Sequence, residues 1–133
     1  MKIIQVTDLH LVAPGEKLFD LDPLTRLEDC IADLNSNHAD ADLVVFSGDL
    51  TERGEASAYA SLSDRLKELA APYRLMLGNH DDRVDFRVAF PEAPVTGGFV
   101  QSVADLPAGR VVLLDTHEPG AVEGRLCDAL GME

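Results

Sequence analysis

Three short motifs carry residues able to do metal chemistry: Asp8-Leu9-His10, Gly48-Asp49 and Gly78-Asn79-His80-Asp81. Each stands where an apolar, strand-like run gives out. Carboxylate, imidazole and amide oxygen are hard or borderline donors suited to divalent cations such as Mn²⁺, Fe²⁺, Co²⁺ or Zn²⁺. Alone, none of the motifs is decisive, because Gly, Asn and Asp are also ordinary turn formers. Their succession in order, each after an apolar run, is what points to a shared site.

The elements that must position them alternate between strand and helix. Ile3 to Val6 is the first apolar run. Asp22-Pro23 then offers an N-cap and a first-turn proline for a helix with Leu24, Leu27, Ile31 and Leu34 on one face. Leu43 to Phe46 is continuously apolar, as in strands buried on both faces of a parallel sheet. Tyr59, Leu62, Leu66 and Leu69 mark a second helix ending before Pro72, Tyr73 to Leu77 a third strand, and Arg83 to Phe90 a short helix stopped by Pro91. The fold expected is α/β, a mostly parallel βαβαβ sheet with flanking helices. Two runs follow, Phe99 to Val103 and Arg110 to Leu114, joined by Pro107-Ala108-Gly109 and read as a hairpin or adjacent strands. A weak helix signal runs from Ala121 to Leu130.

In such a sheet ligands gather beyond the carboxyl ends of the strands, where all three motifs lie. If strand geometry persists, Asp8 and His10 project to the same side. Gly48 allows a sharp turn that brings Asp49 close to an ion, and Gly78 is expected to do the same for Asn79.

The length of 133 residues suits one domain. No apolar run approaches the roughly 20 residues that span a bilayer. The chain opens almost directly on a strand, so a cytoplasmic protein without a signal peptide is expected. Cys30 and Cys127 are far apart and are expected to be reduced thiols. With 24 acidic and 11 basic residues the net charge is −13, which disfavours nucleic-acid and membrane partners. An acidic protein still handles phosphate esters where bound cations reverse the local potential.

The three motifs together resemble the signature blocks of the calcineurin-like metallophosphoesterase superfamily: Asp-x-His, Gly-Asp and Gly-Asn-His-Asp/Glu. Gly48 to Glu55 with Tyr59, Val6 to His10 and the Gly15-Glu16-Lys17-Leu18 loop look most like its bacterial branch of cyclic-nucleotide phosphodiesterases and glycerophosphodiesterases. The resemblance implies two divalent ions and a metal-activated hydroxide that attacks a small phosphodiester. It makes Asp8 and His10 ligands of one ion, Asp49 the bridging carboxylate and Asn79 a ligand of the second. His80 would act on the scissile phosphate. Around them, Glu52 is expected to hold His80 through its distal nitrogen, and Arg53 and Asp81 to serve as supporting or structural residues.

Members of that superfamily carry further ligands downstream, a lone His and a Gly-His-x-His block, which this sequence lacks. Besides His10 and His80 it holds only His38, expected at the surface, and His117, a remote candidate for a substitute ligand. Ligand counting therefore implies that one ion or none is well held here. The chain reads as a single, truncated domain, the N-terminal half of a phosphodiesterase. Apolar surface left open by an absent second half is expected to favour a partner or self-association. The alternative function is a catalytically incompetent fragment that binds at most one ion and self-associates.

Overall fold

A computed structural model describes residues 1–126. Strands β1 (Ile3–Val6), β2 (Leu43–Ser47) and β3 (Tyr73–Met76) form a parallel sheet in the order β1-β2-β3. Helices α1 (Pro23–Asn37) and α2 (Ala56–Leu66) make the crossovers, and α3 (Arg83–Ala89) follows β3. Strands β4 (Ser102–Leu106) and β5 (Gly109–Leu113) form an antiparallel hairpin.

β2 is apolar throughout because both its faces are covered. Val44 and Phe46 pack with Leu27, Ile31 and Leu34 of α1, Tyr59 and Leu62 of α2 and Phe86 of α3. On the opposite face Leu43 and Val45 pack with Ala104 and Leu113 of the hairpin. The result is three layers: helices, sheet and hairpin. Exposed apolar side chains include Ile3 of β1 and Val103 and Val112 of the hairpin.

Local chemistry sets the boundaries. Asp22 Oδ1 accepts from the N–H groups of Leu24 and Thr25 at 3.0 and 3.3 Å, satisfying donors that the first turn of α1 leaves free. Asp82 does the same for α3, accepting from Val84 and Asp85 at 2.8 and 2.9 Å. α2 ends at Leu66 rather than Leu69, because the α1 side chain of Asn35 captures its exit: Asn35 accepts from Ala70 N–H at 2.8 Å and donates to the Glu68 carbonyl at 2.7 Å. Leu69 is buried all the same.

The first hairpin strand starts at Ser102, three residues later than its sequence pattern implies. Gly97 and Gly98, at φ of 60° and 88°, form a tight turn in which Thr96 and Phe99 exchange backbone hydrogen bonds of 2.9 and 3.0 Å. That turn consumes Phe99, and Val100 is drawn into the helical core instead. Residues 121–126 form no helix, and the remainder of that expected helix, with Cys127, lies outside the described residues. Cys30 is a free, half-buried thiol whose pKa burial pushes up, with Asp33 adding to the rise. No helix among the described residues is long and apolar enough to cross a membrane.

The segment after β5 is locked to α3 by a buried ion pair. Arg83 donates through Nε and Nη2 to the two oxygens of Asp115 at 2.8 and 2.9 Å, and through Nη2 to the His117 carbonyl. The Asp115 side chain is 0% exposed. Burial alone would raise its pKa, but the Arg83 guanidinium and the N–H groups of Val100 and His117 outweigh it and hold the carboxyl below the usual range. A depressed folded-state pKa stabilises the fold fully above about pH 4, and this contribution is lost as pH falls through the lower folded value. Asp115→Asn should therefore cost about 3 kcal/mol in urea unfolding at pH 7, because it strands Arg83. The deficit should shrink as both proteins are acidified below about pH 4; equal stability at pH 7 would contradict the assignment.

Candidate metal centre

Beyond the strand ends the backbone keeps pairing. Asp8 N–H donates to the Gly48 carbonyl at 3.2 Å, His10 to Asp49 at 2.9 Å and Leu11 to Leu50 at 3.1 Å. The chain nevertheless leaves strand geometry here. Asp8, His10 and Asp49 have φ of 58°, 46° and 48°, a left-handed region that non-glycine residues seldom occupy. Asp8 and His10 do converge, with Asp8 Oδ1 at 3.4 Å from His10 Nε2, but through two left-handed residues flanking Leu9 rather than through strand alternation.

The two motif glycines act differently from one another. Gly48 has φ of 111°, as a sharp turn requires, and a Cβ there would lie 3.0 Å from the Gly78 nitrogen. Gly78 has no such conformation, so its expected role as a turn residue is not what the structure displays. It is needed for close approach: a Cβ there would overlap the Asp49 carboxylate and backbone nitrogen.

His10, Asp49 and His80 each offer a ligand atom, all within 4.8 Å of one another. The two imidazoles meet edge to face at 4.9 Å, and His10 Nε2 stands 3.8 Å from Asp49 Oδ2. Asp49 Oδ1 also accepts from the His80 N–H at 3.1 Å, which fixes the carboxylate against the third motif. Asn79 is exposed in the turn between Gly78 and His80.

Glu52 organises both histidines, though not as the sequence implies. Its carboxylate takes His10 Nδ1 at 2.7 Å and lies 3.8 Å from His80 Nδ1. Its main-chain carbonyl is what accepts from His80 Nδ1, at 2.8 Å. Carboxylate and carbonyl oxygens are acceptors, so both Nδ1 atoms carry a proton, and His10 turns Nε2 toward Asp8 and Asp49. The hydrogen bond to Glu52 raises the His80 pKa against a loss from burial, and the nearby Asp49, Glu52 and Asp81 add to the rise.

Asp81 is structural. It is 5% exposed and accepts from Leu50 N–H, Thr51 N–H and hydroxyl, Tyr59 hydroxyl and Gly78 N–H. Burial, reinforced by the neighbouring Asp81, raises the Tyr59 pKa and keeps it a donor. Tyr59 and Thr51 were not legible as site supports, since a Tyr at helical spacing reads simply as core. Arg53 turns away from the cluster to pair with Glu16 at 3.1 Å. His38 is half-buried at the C-cap of α1 rather than fully at the surface. His117 is not in the cluster, and its main chain is engaged with Arg83 and Asp115.

A parallel sheet whose strand-end loops gather carboxylates and imidazoles around one point defines a class, and sequence comparison identifies it. The calcineurin-like phosphoesterase model matches residues 1–124, and the chain belongs to that family. A protein of Rhodopseudomonas palustris named as a probable cyclic nucleotide phosphodiesterase is 43% identical over 132 residues, covering 97% of this chain and 48% of the relative. The 3′,5′-cyclic adenosine monophosphate phosphodiesterase CpdA of Pseudomonas aeruginosa is 32% identical over 127 residues, covering 95% of this chain and 45% of the relative. A probable glycerophosphodiester phosphodiesterase GpdQ of Arcobacter nitrofigilis is 31% identical over 93 residues, covering 69% and 34%. The chain spans about half the length of the curated relatives it matches most fully.

Replacing Asp81 tests the scaffold separately from the cluster. Asp81→Ala leaves the buried N–H groups of Leu50, Thr51 and Gly78 without their acceptor and should cost about 3 kcal/mol or more in chemical unfolding. A loss below about 1 kcal/mol would mean the loops hold themselves.

Proposed function

We propose that this chain carries the metal-binding portion of a phosphodiesterase that hydrolyses a small phosphodiester, a cyclic nucleotide or a glycerophosphodiester, in the cytoplasm. The observation that supports this most is the convergence of Asp8, His10, Asp49 and His80 at the carboxyl ends of the parallel strands. The separations of His10 Nε2 from Asp8 Oδ1 and Asp49 Oδ2, 3.4 and 3.8 Å, exceed normal hydrogen bonds. Donors spaced so, with the Nε2 lone pair of His10 free, fit a divalent cation such as Mn, Fe, Co or Zn.

In this reading Asp8, His10 and Asp49 hold one ion, and Asp49 with Asn79 reaches toward a second. Bound there, a cation supplies charge neutralisation at the phosphoryl oxygens and an acidified water. His80, held through Nδ1, would present Nε2 to the phosphate and, in the imidazolium form that its raised pKa favours, donate a hydrogen bond or proton toward the departing oxygen. Glu52 fixes the ring of His10 through Nδ1. Arg53, paired with Glu16, steadies the loop beside the site.

A second reading, an incompetent fragment holding at most one ion, draws on the ligand count: four histidines in all, of which only His10 and His80 join the cluster. Turnover of bis(p-nitrophenyl) phosphate separates the two. With Mn²⁺ added, the enzyme reading expects hydrolysis above free metal, abolished by chelator and reduced at least about 100-fold in Asp49→Asn, which loses the central ligand. Turnover no faster than free Mn²⁺ selects the fragment reading. Glu52→Ala, which removes the carboxylate but keeps the carbonyl under His80, should weaken Mn²⁺ binding about 10- to 100-fold in titration calorimetry. Unchanged affinity would exclude the orienting role.

A further inference from the structure

A cavity of about 620 Å³ is lined by Asp8, His10 and His80 and also by Leu18, Phe19 and Arg26. Its size suits a small-molecule ligand. The segment bearing Phe19 is built in an unusual way. Leu18 and Leu21 exchange backbone hydrogen bonds of 2.9 Å in each direction, closing a two-residue turn over Phe19 and Asp20. Both of those residues are left-handed, at φ of 49° and 61°, in a turn that normally selects glycine or asparagine. For a bulky aromatic residue that conformation is strained. Its effect is to leave Phe19 89% exposed while it lines the same cavity as Asp8, His10 and His80. Strain that keeps a large apolar ring in water beside a reactive site is a mark of ligand contact.

Arg26 strengthens the case. In a chain of net charge −13 it makes no ion pair among the described residues, yet it lines the same cavity. An aromatic face and an unpaired guanidinium match a flat heteroaromatic ring that bears hydrogen-bond acceptors. A glycerol group offers no face to stack.

Resting on the phosphodiesterase reading above, we propose that the Leu18–Leu21 turn is the specificity element of the site. Phe19 stacks on the base of a nucleotide diester, and Arg26 meets the acceptors on its edge. The ion pair of Arg53 with Glu16 ties this loop to the loop bearing Asp49 and Glu52, so the stacking ring and the cluster keep a fixed relation.

The test uses binding, so that a chain unable to hydrolyse still gives an answer. Calorimetry with Mn²⁺ present compares adenosine 5′-monophosphate with sn-glycerol 3-phosphate as probes. The nucleotide should bind about tenfold more tightly or better, the scale of one base stacked on an aromatic ring. Phe19→Ala and Phe19→Leu should erase that preference by weakening the nucleotide alone, and Phe19→Trp should retain it. Undetectable nucleotide binding, or equal loss for both probes in Phe19→Ala, overturns the proposal. Hydrolysis of bis(p-nitrophenyl) phosphate alongside such a result would leave the phosphodiesterase reading standing and remove only the base-stacking role.

Discussion

The Asp81 carboxylate is the point on which the site's loops hang. One oxygen takes the N–H groups of Leu50 and Gly78, the other takes Thr51 and Tyr59. The exits of β2 and β3 and the body of α2 are thereby tied to one buried acceptor. Tyr59 passes the constraint on, since its oxygen also receives the Asp82 N–H at 2.8 Å, where α3 begins. A loop cannot shift without breaking bonds that burial makes costly to leave unmade. Motif position four, which as sequence is merely the acid after Asn79-His80, is thus the keystone beneath the ligands and not one of them.

That rigidity has a purpose in the backbone conformation above it. Three non-glycine residues of the cluster are left-handed, and conformations of that kind persist only when the surroundings over-determine them. Gly48 and Gly78 complete the arrangement by letting two chain segments touch without side chains between them. The assembled cluster holds Asp8, Asp49 and Glu52 close together, and the adjacent cation, Arg53, is spent on Glu16. A divalent cation placed among these carboxylates, as the proposed function has it, would offset their mutual repulsion.

Most of the layer order was legible because each strand and helix announced itself by period. β2 showed its two covered faces as an unbroken apolar run, and Asp22-Pro23 marked the start of α1. The misses arose where tertiary contacts override local pattern. Phe99 looks like strand, yet Gly97-Gly98 and the pull of the core on Val100 redirect it. Leu69 keeps helical spacing, yet Asn35 on another helix ends α2 before it. In the cluster, residue types identified Asp8, His10 and Asp49, but no sequence rule tells a side chain's contact from a main chain's. Glu52 therefore appeared to be a partner of His80, where its carboxylate serves His10 and only its carbonyl reaches His80. Phe19 gave no signal at all, because positive φ at an aromatic residue is visible only in three dimensions.

The unequal partners of the two histidines bear on how the cluster divides its labour. A carboxylate behind an imidazole makes the far nitrogen a stronger ligand, and His10 has one at 2.7 Å. His80 leans on a main-chain carbonyl instead, and that hydrogen bond raises its pKa. Under the proposed reading His10 is therefore the better suited of the two to hold an ion, although both rings join the same cluster. His80, tethered by its own N–H to Asp49 and by its ring to Glu52, is under the same reading the residue that would meet a substrate oxygen. Glu52 sets this difference with one residue, offering its charged end to the ligand and its neutral backbone to the donor.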